Sequence, residues 1–433
     1  MNSTRQKILF ANRSYWPDAE ATGQLLTELC EDLAQQFDVV VLAGQPNQNL
    51  KDEAFDRNRA EIRNGVTIER VRHPKWSKRS LVGRAINLVG FWFAAAFRLL
   101  RMKRPDVLVV ETDPFLLPLL GRIFCWWHRC KLVVYLQDLY PDIAVILDKV
   151  HEGWLTRFLR SRLFRAYRTA EAIVVLSDDM KKQLVSWGID SSRIVCIENW
   201  VDTSSVFPVK NGNEFRKSLQ AENRFIVMHS GNMGLSQYLE NVLDAAKLLS
   251  DRSDIEILLV GDGATRRSLE TKAGELGLKN VRFLPYQPRD QLAQSLSAAD
   301  LHLISMHPQV HRCMMPSKFY GILASGTPVL AITSKESQLA QLIEENTVGF
   351  TATPNDPHEL AEKLRWCADR RADLVEMGQR ARMMAVENYD RPHQTTRFAH
   401  LLCDVISGSD IDFDHRAEAS GTENSNFTAV TSG

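Results

Sequence analysis

The chain has 433 residues, which is more than one hydrophobic core usually supports, so two domains are expected. It is 44% hydrophobic and 24% charged with a formal net charge of +0, a balance that is typical of a globular protein and gives no indication of nucleic-acid binding. The charge is nevertheless uneven, because residues 72–131 carry twelve Lys/Arg against three Asp/Glu, whereas residues 404–433 carry one Arg against six acids.

The seven cysteines are spread singly along the chain without a CxxC pair, which indicates reduced thiols in a cytosolic protein. A strand pattern begins at Lys7 and leaves no room for a signal peptide before it. The apolar segments 81–100 and 115–127 are both interrupted by arginine, and neither offers the roughly 20 uninterrupted apolar residues that a membrane span needs. We therefore predict no membrane-spanning helix.

Short apolar runs rich in β-branched residues alternate with helical patterns along most of the chain. The predicted strands are Ile8–Ala11, Val39–Leu42, Val66–Val71, Val107–Val110, Leu132–Leu136, Ala172–Leu176, Phe225–His229, Ile255–Val260, Val281–Leu284, Leu301–Ile304 and Val329–Ile332. Continuous apolar strands separated by helices indicate parallel sheets covered on both faces, and two such series predict an α/β protein with two doubly wound domains. The boundary is expected at Asp202–Ala221, and a disordered acidic tail is expected after residue 408.

The first candidate site is the segment Trp16–Gln24, between the first strand and an amphipathic helix. Gly23 in this junction lets backbone amides approach a ligand, and the start of the helix favours an anion. The other interpretation is a strand-to-helix turn with a good cap, and the pattern alone does not decide between the two.

Aromatic and basic residues are mixed in a stretch that follows the third strand. The basic residues and rings are Lys75-Trp76-Ser77-Lys78-Arg79, Trp92, Phe93, Phe97, Arg98, Arg101, Lys103 and Arg104, and a second basic cluster contains Arg157, Arg160, Arg162, Arg165 and Arg168. Such mixtures bind anionic membrane surfaces, where each basic residue contributes on the order of 1 kcal/mol. A packed helix with solvated arginines is the alternative, but two basic clusters in one domain favour membrane contact.

Asp138 follows the predicted strand 132–136 directly, within the segment Gln137–Asp142. Ligands of open α/β sheets bind beyond the carboxyl ends of the strands, so Asp138 is placed to orient a hydroxyl of a bound ligand or to take a proton from an acceptor. An aspartate that caps the next turn is an equally good interpretation.

Polar and glycine-rich turns also follow strands in the second half. Gly231–Gly234 and Gly261–Gly263 are each merely a glycine turn when taken alone. His307 and His311 have an i, i+4 spacing without a nearby acid, which is a weak indication of a metal site. Asp178-Asp179, in the first half, lacks the DxD arrangement of a metal–nucleotide site and is predicted to cap the helix that follows.

The strongest candidate site is a short helix in the second half. Pro316 and Ser317 start it, and Gly326 and Pro328 end it before the next strand. Its first amides, with Lys318 beside them as a point charge, are placed to hold a diphosphate. A surface helix with a solvated lysine is the simpler interpretation when the motif is taken without its context.

Taken in chain order, the motifs resemble those of the retaining GT-B glycosyltransferases of family 4, in the branch that builds bacterial surface polysaccharides of the colanic acid or O-antigen type. The resemblance covers about residues 7–400. It is carried by ATGQLL at 21–26, QDLYPD at 137–142, IENWVD at 197–202, HSGNMG at 229–234, LLVGDG at 258–263, NVRFLPY at 280–286 and the PSK…ASGTPV segment that starts at 316.

The resemblance implies two Rossmann-like domains that face each other across a cleft. Residues 1–205 would bind the acceptor, residues 206–384 would bind the nucleotide sugar, and helices in 385–407 would cross back to the first domain before the tail 408–433. By the same resemblance, Asp138 and Lys318 are the catalytic residues. The implied donor-binding residues are Gly23, Asn232, Gly261, Tyr286, Pro316, Ser317 and Gly321.

Two features depart from the family pattern. Members usually carry two glutamates separated by seven residues, and the equivalent positions here are Cys313 and Gly321. The phosphate-facing loop also lacks the usual lysine and has Ser236 and Gln237 instead. Lys318 is therefore expected to compensate the phosphate charge alone.

The resemblance implies transfer of a sugar, with retention, from a UDP-linked donor to a lipid-linked or growing polysaccharide acceptor at the cytoplasmic face of the cell membrane. No cofactor and no metal are expected, because helix amides and Lys318 would stabilise the leaving diphosphate. The missing glutamates motivate an alternative, a catalytically silent partner or scaffold subunit at the membrane. A sugar-nucleotide epimerase of the same fold is disfavoured, because the basic and aromatic first half suits a lipid acceptor better.

Overall fold

The computed structural model of the chain describes residues 5–18, 20–46, 61–76, 81–209, 212–221 and 223–409. Parts of four predictions lie outside these residues, namely Ala19 of the first candidate segment, Ser77-Lys78-Arg79 of the basic cluster, Lys210-Asn211 of the boundary and residues 410–433 of the tail. Within the described ranges, no helix combines the length and the hydropathy that a membrane span requires.

The first half of the chain is built around a mostly parallel sheet. Its strands are β1 (Lys7–Ala11), β2 (Asp38–Ala43), β3 (Glu61–Arg63), β4 (Val66–Arg70), β5 (Val107–Val110), β6 (Lys131–Leu136), β7 (Ala172–Val175) and β8 (Ile194–Cys196). Their order across the sheet is β3-β4-β2-β1-β5-β6-β7-β8, and only the β3–β4 pair is antiparallel. The central strands are buried along their length, which explains their continuous runs of Val, Ile and Leu.

Helices cover this sheet. They are α1 (Ala21–Leu33), α2 (Leu81–Leu99), α3 (Leu117–His128), α4 (Asp142–Ile146), α5 (Trp154–Tyr167) and α6 (Asp178–Ser186). Helix α3 packs on β5 and β6 and lies between α2 and α5, both of which it contacts. The cap that was predicted at Asp178-Asp179 is supplied by Ser177, whose hydroxyl accepts from the Met180 N–H at 3.2 Å, so the two aspartates lie in the first turn.

The second half repeats the architecture with a fully parallel sheet. Its strands are β9 (Phe225–Ser230), β10 (Ile255–Val260), β11 (Val281–Leu284), β12 (Leu301–Ser305), β13 (Val329–Ile332) and β14 (Gly349–Ala352), in the order β11-β10-β9-β12-β13-β14. The helices are α7 (Glu214–Ser218), α8 (Glu240–Leu248), α9 (Arg266–Glu275), α10 (Leu292–Ser297), α11 (Lys318–Ala324), α12 (Gln338–Glu345) and α13 (Pro357–Asp369).

Every strand that was predicted from the sequence is confirmed, and the strands that were missed are the short outer ones. Strands β3 and β8 form the two edges of the first sheet, and β14 is an edge of the second. Each has three or four residues, and β3 alternates charged and apolar residues on an open edge. Short edge strands carry little hydrophobic signal, so a search for continuous apolar runs does not find them.

Two further helices, α14 (Arg371–Asn388) and α15 (Arg391–Ser407), follow the second sheet. Helix α14 packs against α11, whereas α15 packs against α1 and β5 of the first half. Phe398 of α15 lies near Phe10 and Tyr135, with ring centroids 6.3 and 5.3 Å away. A buried ion pair of 2.7 Å between Arg397 and Glu198 also ties α15 to the first half.

Candidate active site

In both sheets the strand order reverses beside the first strand. The strands run outward from β1 on one side and from β5 on the other, and in the second half they run outward from β9 and from β12. Neighbouring loops diverge at the carboxyl ends of such strands and open a crevice, which is where open α/β sheets bind their ligands. The loops after these four strands, and after β6, β10 and β11 beside them, therefore define the candidate site.

Lys318 is the first residue of α11, a helix that packs against β12. The predicted helix start is confirmed, and the Phe319 N–H donates to the Pro316 carbonyl oxygen at 3.1 Å. The Lys318 Nζ donates to Gln237 Oε1 at 3.0 Å and to His229 Nε2 at 3.2 Å. Lys318 is half-buried, and the desolvation of its ammonium lowers the pKa from 10.5 to about 7.

The surroundings of Lys318 leave its charge without a counter-ion. His229 is buried at the end of β9, and burial together with the charge of Lys318 holds its pKa well below the usual value, so the imidazole is neutral and Nε2 can accept. The side chain of Gln237 is neutral as well. Within the described residues, the hydrogen-bond partners of the Lys318 Nζ are these two neutral groups, and no carboxylate forms an ion pair with it. A bound anion would pair with the Lys318 ammonium, which no carboxylate of the described residues neutralises, and this pairing favours binding.

The loops after β9 and β10 pack directly against each other. Gly261 has a φ of +136°, and a Cβ there would lie 1.9 Å from the Gly231 carbonyl oxygen. A Cβ on Gly263 would lie 2.7 Å from Asn232 Oδ1, and one on Gly231 would lie 3.3 Å from Lys318 Nζ. Only glycine fits at position 261, and it fixes the loop that carries Asn232 beside the lysine.

Tyr286 lies in the loop after β11 and faces the first half of the chain. Its hydroxyl donates to the Asp262 carbonyl oxygen at 3.2 Å. Burial and, to a smaller extent, the charges of Asp262 and Glu20 raise the pKa of Tyr286. Glu20 directly precedes α1, and Gly23 in its first turn packs so closely that a Cβ would lie 3.3 Å from the Tyr15 nitrogen. The start of α1 and the Tyr286 loop therefore lie on opposite sides of one boundary.

Asp138 connects the two halves. It follows β6 and pairs with Met314 in an isolated antiparallel bridge, and the neighbouring Leu139 N–H donates to the Cys313 carbonyl oxygen at 2.9 Å. Burial is the larger cause and the charge of Asp113 the smaller one, and together they raise the pKa of Asp138 from 3.8 to about 6. The bridge places Asp138 beside the segment that leads into α11.

The two positions where the family carries glutamates are structurally different. Cys313 is buried, and its carbonyl oxygen accepts from the first half, as described above. Gly321 lies one turn after Lys318 in α11, and the nearest atom to a Cβ there would be Leu296 Cδ1 at 3.5 Å, so a side chain would fit. Neither position offers a carboxylate to a donor sugar.

The sequence did not predict a polar cluster at the ends of β1 and β5. Arg13 and Asp113 form an ion pair of 3.0 Å, and the Ser14 hydroxyl donates to the same carboxylate at 2.8 Å. The buried Glu111 accepts from the Gln137 amide at 3.2 Å, and burial raises the pKa of Glu111 well above its usual value. These residues directly follow strands where the order reverses. Asp138 was selected because ligands of open α/β sheets bind beyond the carboxyl ends of the strands, and the same rule would have selected these residues.

The structure thus joins most of the predicted site residues in one chain of contacts. The Lys318 Nζ and the Asn232 carbonyl oxygen lie 3.2 and 3.4 Å from His229 Nε2, and Asp138 bridges Met314, four residues before the lysine. Gly23 and Tyr286 lie at the same boundary. His229 and Gln237 were quoted among the motif residues but were not predicted as partners of Lys318, although a histidine at the end of a buried strand is a signal that the sequence contains.

Comparison with known proteins agrees with this architecture. The family model described as Glycosyltransferase Family 4 matches residues 22–205, and the model described as Glycosyl transferases group 1 matches residues 211–384. The probable glycosyltransferase WbjE of Pseudomonas aeruginosa is 26% identical over 349 residues, which are 80% of this chain and 86% of that protein. The putative colanic acid biosynthesis glycosyl transferase WcaI of Escherichia coli (strain K12) is 27% identical over 355 residues, covering 78% of this chain and 86% of its own.

Solved structures agree as well. Anabaena Alr3699/HepE, solved in complex with UDP, superposes with a TM-score of 0.70 at 19% identity and covers 92% of this chain and 100% of its own. WaaG, a glycosyltransferase involved in lipopolysaccharide biosynthesis, has a TM-score of 0.67 at 16% identity and covers 93% of this chain and 100% of its own. These likenesses confirm the predicted GT-B fold. Because the two family models together span both halves, the chain belongs to the glycosyltransferases of family 4 and group 1.

Proposed function

We propose that the chain is a retaining glycosyltransferase that moves a sugar from a UDP-linked donor to a lipid-linked or growing polysaccharide acceptor in cell-surface glycan synthesis. The names of WcaI and WaaG support the type of pathway. HepE has been solved with UDP and with UDP-glucose, which supports the nucleotide. In this proposal residues 206–384 bind the donor, residues 1–205 bind the acceptor, and residues 385–407 cross back to the first domain.

The observation that carries the proposal is the desolvated Lys318 ammonium with its neutral partners His229 and Gln237. In sugar transfer the bond between the anomeric carbon and the diphosphate oxygen breaks, and negative charge develops on the leaving diphosphate. A preorganised cation and backbone amides stabilise that charge without reorganisation of solvent. Lys318 and the amides near Asn232 and Pro316-Ser317 take this role, and the proposal assigns none to a metal or a cofactor.

Asp138 is assigned to the sugar side of the reaction. With a pKa of about 6 it is mostly ionised at neutral pH and can accept a hydrogen bond from a sugar or acceptor hydroxyl. Retention follows when the acceptor attacks from the face that the diphosphate leaves and the departing phosphate oxygen takes the acceptor proton. This course needs no nucleophile from the protein, which is consistent with Cys313 and Gly321 at the glutamate positions.

A lipid-linked acceptor also sets the location of the enzyme. We propose a peripheral position at the cytoplasmic face of the cell membrane, in contact with anionic lipid. The excess of basic residues in 72–131 supports this position, because basic side chains are attracted to the negative surface potential of that leaflet.

The test combines a panel of nucleotide sugars with membrane extract as the acceptor. One UDP-sugar should raise the melting temperature of the purified chain and give a product of matching mass whose anomeric configuration equals that of the donor. Lys318→Ala should lower turnover by about a hundredfold or more while the circular dichroism spectrum is unchanged. Full turnover by this variant would contradict the role of Lys318, and an inverted product would contradict retention.

The absence of acids at Cys313 and Gly321 favours one alternative, a catalytically silent partner subunit at the membrane. A silent subunit would show neither transfer nor slow donor hydrolysis with any nucleotide sugar. The same panel therefore separates the two functions.

A further inference from the structure

Three neighbouring helices of the first half present large apolar side chains to solvent. Trp126 and Trp127 at the end of α3 are 78% and 69% exposed, and Trp154 at the start of α5 is 79% exposed. We call eight exposed apolar side chains of α2, α3 and α5 the aromatic face, and they are Phe93, Phe97, Ile123, Trp126, Trp127, Trp154, Leu155 and Phe158. Apolar patches of this extent on a soluble surface mark an interaction site.

The aromatic face is continuous because the three helices are packed side by side. Helix α3 contacts both α2 and α5, and its own buried residues, including Leu120 and Phe124, point toward the sheet. Phe93 and Phe97 are four residues apart on α2, so they share the side of that helix opposite to the buried Phe91 and Ala95. On α3, Trp126 likewise lies opposite to the buried residues, whereas Trp127 lies beside them and is exposed because it is in the last turn of the helix.

Positive charge surrounds these rings. Arg122, Arg129 and Arg157 are exposed on α3 and α5 or beside them. The guanidinium of Arg101 lies 3.4 Å from the centroid of the Phe97 ring, and that of Arg162 lies 4.8 Å from the Phe158 ring. Two arginines of the predicted basic clusters are already paired, because Arg98 bonds Glu69 and Arg160 bonds Asp142 and Glu152.

We propose that the aromatic face inserts into the interfacial region of an anionic lipid bilayer, with Trp126, Trp127 and Trp154 as its main anchors. Tryptophan combines a large apolar ring with an N–H that remains hydrogen-bonded at the headgroup level, and arginine beside it pairs with lipid phosphate. The biological purpose of this binding, the approach to a lipid-linked acceptor, rests on the proposed function. The binding itself is inferred from the described surface alone.

A second copy of the chain fits this surface less well than a bilayer does. A two-fold dimer would place the aromatic face of one copy against the same face of the other. The exposed arginines on its helices would then be brought toward like charges, which opposes association. An anionic bilayer is complementary both to the rings and to the arginines.

The experiment measures co-sedimentation of the purified full chain with vesicles of phosphatidylethanolamine and phosphatidylglycerol, and with vesicles of phosphatidylcholine alone. We expect binding to the anionic vesicles and much weaker binding to the neutral ones. Trp126→Ser with Trp127→Ser should weaken anionic binding about 30-fold, which equals about 2 kcal/mol. Trp154→Ser alone should weaken it by a smaller factor, and the tryptophan fluorescence of the unsubstituted chain should shift to the blue on binding.

The matched control removes two exposed apolar side chains from the second half. Val375 and Met383 on α14 are 61% and 58% exposed, and Val375→Ser with Met383→Ser should leave vesicle binding unchanged. Three results would each overturn the proposal. The control could lose vesicle binding as much as the tryptophan variants, or both tryptophan variants could bind vesicles as the unsubstituted chain does. The third result is a dimer in solution that the tryptophan substitutions dissociate. Binding to native membranes but not to pure-lipid vesicles would overturn it in favour of a protein partner.

The two proposals fail separately. Vesicle binding is measured without any nucleotide sugar, and stabilisation by UDP is measured on the same variants without vesicles. A chain that binds vesicles but no nucleotide sugar contradicts the proposed sugar transfer and leaves the aromatic face standing. A chain that transfers sugar but ignores vesicles contradicts the aromatic face and the proposed lipid contact, and leaves the sugar transfer standing.

Discussion

Lys318 is partly desolvated before any ligand arrives, and this has a consequence for the pH dependence of binding. The ammonium has a pKa of about 7 because it is buried between a neutral histidine and a neutral amide. A bound diphosphate stabilises the charged form and raises that pKa. Binding above pH 7 therefore takes up a proton, whereas binding well below pH 7 does not.

We predict that the affinity for UDP falls as the pH rises from 7.5 to 9, by up to about tenfold per pH unit. The sign follows because the complex holds a proton that the free protein loses above its pKa, so a higher pH favours the free state. The phosphate of UDP changes its own charge mainly near pH 6 and contributes little in this window. Isothermal titration calorimetry in buffers of different ionisation enthalpy measures both the affinity and the proton uptake.

Lys318→Arg is the matched control, because arginine stays charged throughout this range. Its UDP affinity should be nearly constant from pH 7.5 to 9, and Lys318→Ala should bind weakly at every pH. An unsubstituted chain whose affinity does not change with pH would contradict the assignment of Lys318 to the phosphate.

At this scale the sequence predicts the lysine but not what surrounds it. The motif that starts at Pro316 fixes Lys318 at the beginning of a helix, as found. Its partners His229 and Gln237 lie 89 and 81 residues earlier, and only the packing of the loop after β9 against α11 brings them together. The same holds for Asp138, whose bridge to Met314 depends on contact between the two halves.

At the scale of elements, the loops after β9 and β10 behave as one unit. Gly261 has a positive φ, and a Cβ there would overlap the Gly231 carbonyl oxygen at 1.9 Å. No shift of a flexible side chain relieves this overlap, because the obstructing atom belongs to the backbone. The position of Asn232 beside Lys318 therefore depends on a glycine that need not contact the donor itself.

Gly261→Ala should lower the free energy of unfolding by about 3 kcal/mol or more and abolish stabilisation by UDP. Gly274→Ala is the matched control, since Gly274 lies in α9 with no atom within 4 Å of a Cβ. That change should be neutral or stabilising by up to about 1 kcal/mol, because alanine favours a helix. Urea denaturation measures both variants, and equal stability of the two would refute the packing argument.

Sequence patterns identified every central strand of both sheets, but of the four edge strands they identified only β11. The central strands of both sheets are apolar on both faces and were all predicted, whereas β3, β8 and β14 are short and lie at edges. The cap of α6 was assigned to Asp178-Asp179, but the backbone enters the helix one residue earlier and Ser177 caps it. Such details depend on backbone angles that composition does not specify.

At the scale of the whole molecule, the two halves share one buried apolar cluster, and polar side-chain contacts join them at its edges. Glu28 of α1 is buried, accepts from the Trp200 indole N–H at 2.9 Å, and forms an ion pair with Arg289 of the second half. Asp32, one turn further along α1, pairs with Arg391 of α15 at 2.6 Å. Helix α1 thus connects the first turn that contains Gly23 both to the loop after β11 and to the crossing helix. No local pattern in the sequence predicts these pairs.

The Arg289–Glu28 pair should control how closely the halves approach rather than how stable they are. Arg289 is 59% exposed, so Arg289→Ala should change the free energy of unfolding by less than about 1 kcal/mol, and Glu28 keeps its bond from Trp200. Because Gly23 and Tyr286 lie on opposite sides of the boundary that this pair spans, its loss should raise the KM for the donor up to about fivefold. Small-angle X-ray scattering should show a larger radius of gyration for the variant.

Arg365→Ala, which breaks the Arg365–Asp251 pair within the second half, is the control and should change neither the KM nor the radius of gyration. If Arg289→Ala leaves both the scattering and the KM unchanged, the pair is only a surface contact and the other contacts between the halves, such as the Asp138–Met314 bridge, set their arrangement.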